Sequence, residues 1–193
     1  MSIVSLVSGG LDSSLMSILA KENGNIQYPL FIDYGQLGYE KEWEACQKIH
    51  RTFNLSNPYK MDISGYGKTI LSGITSKDKH VKDEAFLAGR NLILLTMGAS
   101  YAYQNGANAV SIGFLKKDTA IFNDQTDEFL KKAQDTISYA MNYEIKILTP
   151  LRDFYKKDIV ELAKQKNLYD TYSCHTGTDI PCGKCIACEE YNF

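Results

Sequence analysis

Three features of the 193-residue sequence predict an α/β fold, a parallel five-stranded sheet flanked by helices. Short apolar runs alternate with longer stretches whose apolar residues fall three and four apart, glycine and polar residues mark the boundaries, and the first run, SIVSLV, passes through Ser-Gly-Gly directly into a helical pattern. Strand followed by helix, repeated along the chain, sets the strands parallel with helices on both faces, and ligands of such sheets bind beyond the carboxyl ends of the strands.

The elements follow in order. SIVSLV predicts a strand over 2–7 and the pattern from Leu11 a helix over 11–21; YPLFID gives a strand over 28–33, followed by a helix over 40–53. NPYKMD gives a strand over 57–62. Residues 63–90 then break the pattern: Gly65, Gly67 and Gly73 meet the mixed-charge run SKDKHVKDEA, so this long stretch reads as a mobile lid or a partly disordered surface segment. Regularity returns with a helix over 91–104, the strand ANAVSIG over 107–113, a helix over 126–141, the strand IKILT over 145–149 and a helix over 156–166.

Composition sets the bounds. The length suits a single domain over 1–193, enough to bury roughly 70% of the unfolded chain's surface. Hydrophobic residues at 44% and charged residues at 23% are ordinary globular values. A net charge of -2, with 21 basic residues among 23 acidic ones, gives no strong nucleic-acid signal but leaves a small phosphorylated ligand open. No apolar stretch reaches the roughly 20 residues a membrane span needs, and no basic leader precedes one, so a cytoplasmic protein without membrane contact is expected.

Two motifs carry chemistry. In SLVSGGLDSSL, residues 5–15, Gly9 and Gly10 permit a tight turn that an anion can approach, Ser8, Ser13 and Ser14 add hydroxyls, and the helix start at Leu11 adds free N–H groups. Asp12 would repel phosphate, and makes sense as a ligand for a Mg²⁺ bridging to it. By spacing alone, the same stretch reads equally well as a helix start capped by Ser8 or Asp12. Near the end, SCHTGTDIPCGKCIAC places Cys174, Cys182, Cys185 and Cys188 at the spacing of a closed tetrahedral zinc site over 174–188, with an iron–sulfur cluster or redox thiols as alternatives. His175 reads as a surface residue and Cys46 as a small core residue of its helix.

The SGGxDS stretch resembles the loop of the PP-loop ATP pyrophosphatases, whose fold is of the adenine nucleotide alpha hydrolase type. With the terminal cysteines, the FIDYGQ of 31–36, the GRN of 89–91 and TPLRDFYKKDIVELA, the chain resembles the 7-cyano-7-deazaguanine synthase family from about residue 2 to 190. The resemblance implies a carbon–nitrogen ligase that converts 7-carboxy-7-deazaguanine and ammonia to a nitrile. Two ATP would be spent, through an adenylated acid, an amide and an adenylated amide, with AMP and pyrophosphate released. Ser8, Gly9, Gly10, Leu11, Asp12, Ser13 and Ser14 would cradle ATP, with Asp33 on its ribose and Tyr34 against a ring; Asp33 as a turn cap and Tyr34 as surface cover are the plain alternatives. Arg90 and Lys156 are the candidate phosphate-stabilising cations beside Asp12, although Arg90 could pair with Asp83 and Glu84 and Lys156 could be solvated. Arg90, Asn91 and Asp124 would face the deazapurine, and a homodimer is implied.

The sequence departs from the family at two places. Leu37 and Gly38 stand where an Arg-His pair is usual, and in IFNDQTDEF, Asp124 remains while Gln125 and Thr126 replace Cys and Arg. These changes leave open a relative that stops at the amide or joins the activated acid to an amine supplied by a protein partner, as in DNA-modification or antiviral defence systems; transfer of sulfur to tRNA is a further alternative.

Overall fold

The computed structural model describes residues 1–191. Five strands, β1 (Ser2–Val7), β2 (Ile26–Asp33), β3 (Tyr59–Asp62), β4 (Ala109–Ser111) and β5 (Lys146–Leu148), form one parallel sheet in the order β3-β2-β1-β4-β5. The register runs Val7 to Phe31 and Val4 to Val110. β1 therefore lies between the strand that follows it and a strand entered much later, so the chain leaves its carboxyl end toward one side while β4 serves the other. That switch of direction opens a crevice at the end of β1.

Helices cover both faces. α1 (Leu11–Glu22) packs with α6 (Lys156–Gln165) around Leu15, Met16, Ile49, Leu151 and Ile159; α4 (Arg90–Gln104) and α5 (Asp127–Met141) cover the other face around Leu95, Ala99, Val110 and Ile137. α2 (Tyr39–Thr52) buries Ala45, Cys46 and Ile49, so Cys46 is the core residue expected. Gly98 lets α4 lie close on the sheet, since a Cβ there would stand 2.9 Å from the Val110 side chain.

The five predicted strands and five predicted helices are present, with shifted ends. β2 begins two residues earlier than expected and β3 two later, because Pro58 cannot donate to a ladder. Thr126 caps α5, its hydroxyl accepting from the Phe129 N–H at 3.2 Å, instead of forming its first turn. Residues 63–90 are not a loose surface segment. They contain a short helix, α3 (Gly65–Thr69), and bury Ile74, Ala85 and Leu87 against Tyr34 and Tyr66, a small core with no helical or strand period to reveal it. A last helix, α7 (Ile186–Tyr191), follows the third cysteine of the cluster. Among the described residues, no helix is long and apolar enough to cross a membrane.

Candidate active site

The crevice beyond β1 is a cavity of about 300 Å³, walled by the β1–α1 turn, the ends of β2 and β4, the start of α4 and the carboxyl-terminal segment. Ser8, Gly10, Leu11, Asp12, Ser13, Tyr34, Arg90 and Lys156, all expected site residues, line it.

The turn has the form an anion needs. Gly10, not Ser8 or Asp12, is the N-cap of α1, and no side chain caps the helix. The N–H groups of Leu11, Asp12 and Ser13 thus have no intrahelical acceptor and sit at the positive end of the dipole. Ser13 Oγ instead orders the loop, accepting from Ser8 N at 3.1 Å and lying 3.0 Å from Ser8 Oγ. Gly9 has φ +76°, and its carbonyl accepts from Tyr172 N at 2.9 Å, tying the loop to the carboxyl-terminal segment. Gly113, which the sequence reading passed over, approaches closely enough that a Cβ would stand 3.3 Å from Ser13 N. Gly9 and Ser14 support the loop from behind and do not line the cavity; Ser14 is buried.

Asp12 and Lys156, 144 residues apart in sequence, meet at 2.8 Å through Oδ2 and Nζ. Tyr191 donates its hydroxyl to Asp12 Oδ1 at 3.1 Å, and Lys156 also reaches Glu190 Oε2 at 3.2 Å and the Tyr191 ring at 4.2 Å. One ammonium is therefore shared by two carboxylates, and the reading of Lys156 as a free solvated lysine does not hold. Burial and the Asp12 charge push the Tyr191 phenol well above its ordinary range.

Arg90 stands at the first position of α4 after Gly89, whose φ is +80°. It does not pair with Asp83 or Glu84: Asp83 meets His80 and Glu84 meets Lys79. Among the described residues, no carboxylate lies within ion-pair distance of Arg90, and its guanidinium carbon is 5.9 Å from the Tyr34 ring centre. Burial raises the Tyr34 phenol to about 12.

Besides Gly9 and Ser14, three further expected residues lie off the cavity wall. Asp33 Oδ1 accepts from Gly35 N at 3.0 Å, so its carboxylate caps a local turn. Asn91 is buried and donates to the Asp124 carbonyl at 3.2 Å, tying α4 to the short turn at 123–125, while Asp124 borders a separate surface depression with Phe122 and Phe129. Gln125 braces the same turn, its Oε1 accepting from Ile121 N and Phe122 N at 2.8 and 3.1 Å.

The four thiols converge. Sγ atoms of Cys174, Cys182, Cys185 and Cys188 all lie within 4.8 Å of one another, a set that can hold a metal ion. Burial alone would raise the Cys174 thiol, but donors from Thr176 and the Cys182 N–H outweigh it and hold the thiol at about 6.

Further wall residues, His175, Gln36 and Glu42 among them, were not expected from the sequence. His175 is not a surface side chain: it lines the cavity, its Nδ1 is buried without a partner, and burial with the Arg90 charge holds its imidazole down at about 4. Gln36 and Glu42 meet at 3.0 Å through Nε2 and Oε2. Burial pushes the Glu42 carboxyl up to about 7, against the lowering effects of Gln36 and Arg90. The available signal for Glu42 was its position: 42, 45, 46 and 49 share one helix face, and the other three are buried.

An uncapped glycine turn at the switch point of this parallel sheet gives the chain the architecture of the PP-loop class of α/β proteins, with a cysteine cluster that could hold a metal near its carboxyl end. A solved 4-thiouridine synthetase–RNA complex with bound ATP has the same fold, with TM-score 0.59 and 18% identity over 95% of this chain and 47% of that one. The family model described as Queuosine biosynthesis protein QueC matches residues 2–192, and the chain belongs to that family. It is 33% identical to the 7-cyano-7-deazaguanine synthase of Campylobacter jejuni subsp. jejuni serotype O:6, covering 95% of this chain and 88% of the relative. Identity to the 7-cyano-7-deazaguanine synthase of Prochlorococcus marinus strain MIT 9312 is 32%, covering 99% and 92%.

Proposed function

We propose that this enzyme makes 7-cyano-7-deazaguanine from 7-carboxy-7-deazaguanine and ammonia, spending two ATP and releasing AMP and pyrophosphate, as a carbon–nitrogen ligase. A carboxylate resists nucleophiles because it is anionic and has no leaving group; transfer of AMP to its oxygen removes both obstacles. The observation that carries the reading is the uncapped α1 start facing Lys156 and Arg90 across one cavity, in a chain whose curated relatives bear this enzyme's name.

In this reading the N–H groups of Leu11, Asp12 and Ser13 and the Ser8 hydroxyl bind phosphate oxygens, while Lys156 and Arg90 offset the charge that develops during in-line attack. Asp12 and Glu190 are the carboxylates that would hold Mg²⁺, which would neutralise phosphate charge. The four cysteines would hold Zn²⁺ as a closed structural site that fixes Tyr172 to His175 against the loop. The test is mass spectrometry of products from the acid, ATP, Mg²⁺ and ammonium. A nitrile with two AMP per turnover is expected; an amide as end product, or a product only with another amine present, overturns the nitrile assignment, and absence of AMP overturns the reading.

A further inference from the structure

Glu42 is the cavity carboxylate that phosphate chemistry leaves unused. Its Oε2 accepts the Gln36 amide, and Gln36 is itself fixed, its Oε1 accepting from Tyr34 N at 2.9 Å and its Nε2 reaching the Ile32 carbonyl at 3.4 Å. Glu42 Oε1 accepts no hydrogen bond from a described residue. Gly38 leaves room beside that oxygen, since a Cβ there would stand 3.0 Å from it. The titratable groups around Glu42 are Arg90 from α4, Asp33 and Tyr34 from the end of β2, Cys46 on its own helix and Tyr172 from the carboxyl-terminal segment; none forms an ion pair with it. A desolvated carboxylate with one oxygen held and one open favours a small cation that can give it a proton. Its raised titration, to about 7, suits exchange of a proton near neutrality.

Resting on the reading above, in which a nitrogen nucleophile meets an adenylated acid, we propose that Glu42 is the proton acceptor on the nitrogen side: Oε1 binds ammonium, takes one proton and releases neutral ammonia within the cavity. Ammonium and carboxylate become ammonia and carboxylic acid. The nitrogen lone pair then forms the C–N bond as the C–O bond to AMP breaks, the surplus proton of the new amide goes to solvent, and Glu42 returns its own proton to water. In the second half, adenylation of the amide oxygen releases pyrophosphate and one N–H proton goes to solvent, leaving an O-adenylated imidate with a single N–H, and Glu42 takes that last proton. That electron pair completes the nitrile, and the C–O electrons leave with AMP.

The experiment compares wild-type protein and Glu42→Gln with two nucleophiles at pH 7, ammonium chloride and hydroxylamine, the latter already mostly neutral. Amide formation by Glu42→Gln is expected to fall on the order of 100-fold while hydroxamate formation stays within about threefold, which also shows that the variant folds and activates the acid. In wild-type protein the ammonia reaction, and not the hydroxylamine reaction, is expected to follow an ionisation near neutral pH, a readout that needs no variant. Equal losses with both nucleophiles, no loss with either, or the same pH profile for both would overturn the role of Glu42. Hydroxamate and AMP from wild-type protein separate that failure from failure of the adenylation reading, since their absence removes the reading itself and the proposal with it.

Discussion

Replacing Gly9 by alanine tests the anion-binding turn through two separable costs. The backbone there has φ +76°, a left-handed conformation that charges an L-residue about 1–2 kcal/mol. An alanine Cβ would also stand 2.3 Å from the Glu42 carbonyl oxygen and 2.7 Å from Cys46 N, both backbone atoms of α2, so the helix must move by several tenths of an ångström or more. Overpacking of this kind adds about 1–3 kcal/mol, for a combined loss of about 3 kcal/mol. Gly24 is the matched control: φ is +71° and no atom lies within 4 Å of the added Cβ, so Gly24→Ala carries only the conformational cost. For a chain of this size the thermal midpoint should drop by roughly 6–12 °C for Gly9→Ala and by a smaller amount, about 2–8 °C, for Gly24→Ala, read by circular dichroism. AMP formation should be lost in the first and retained in the second. Equal midpoints for the two variants, or an active Gly9→Ala enzyme, would refute the close approach of loop and helix.

Cys185 is fully buried among the other thiols, and Cys185→Ser should abolish metal retention by elemental analysis and lower local stability of residues 172–191 by several kcal/mol; a folded, metal-loaded variant would contradict a structural cluster. Glu42 is held near 7 against an ordinary 4.5, so its protonated form favours the fold below about pH 4.5 and that contribution disappears as pH rises through 7. The urea midpoint of Glu42→Gln relative to wild type should therefore rise between pH 5 and pH 8. His175, held low at about 4, loses stability in the opposite direction as pH falls, but it is common to both proteins and cancels in the difference; a flat difference would mean that Glu42 is not desolvated.

Elements governed by local period were legible. The apolar SIVSLV run, the glycine pair and the stripe beginning at Leu11 were enough to position the turn, and the cysteine spacing was enough to gather four thiols. What stayed hidden depends on distant partners. Residues 63–90 fold around Ile74, Ala85 and Leu87, which have no common period and become a core only against Tyr34 and Tyr66. Asn91 was expected to face the deazapurine, but it is buried and donates to the carbonyl of Asp124, 33 residues on. His175 looked like a surface side chain because the cavity it lines, and the Arg90 charge that acts on it, come from parts of the chain distant in sequence. Glu42 was masked differently: a charge within an apolar stripe looks like an exception to the pattern, and only the sheet behind it turns the exception into a cavity wall.

Asp12 has two possible duties, holding Lys156 and holding a divalent cation, and a double-mutant cycle separates them. Asp12 and Glu190 place two negative charges around one ammonium, with the Asp12 and Lys156 side chains 25% and 18% exposed. Lys156→Met leaves the two carboxylates facing each other, but Tyr191 still donates to Asp12 and water still reaches it, so the stability cost should be about 1–2 kcal/mol rather than the full cost of an uncompensated buried charge. Asp12→Asn in that background relieves the repulsion and should recover most of the loss. Activity is expected to behave otherwise. If Asp12 served only to position Lys156, its replacement would change nothing once Lys156 was gone, and AMP formation by the double variant would equal that of Lys156→Met. A cation-holding Asp12 makes the double variant slower than either single one, by a further factor on the order of 10 or more, with the Mg²⁺ concentration needed for half-maximal rate raised by Asp12→Asn and not by Lys156→Met. Stability that recovers while activity falls again is the signature that distinguishes a ligand from a tether; recovery of both would assign Asp12 to Lys156 alone.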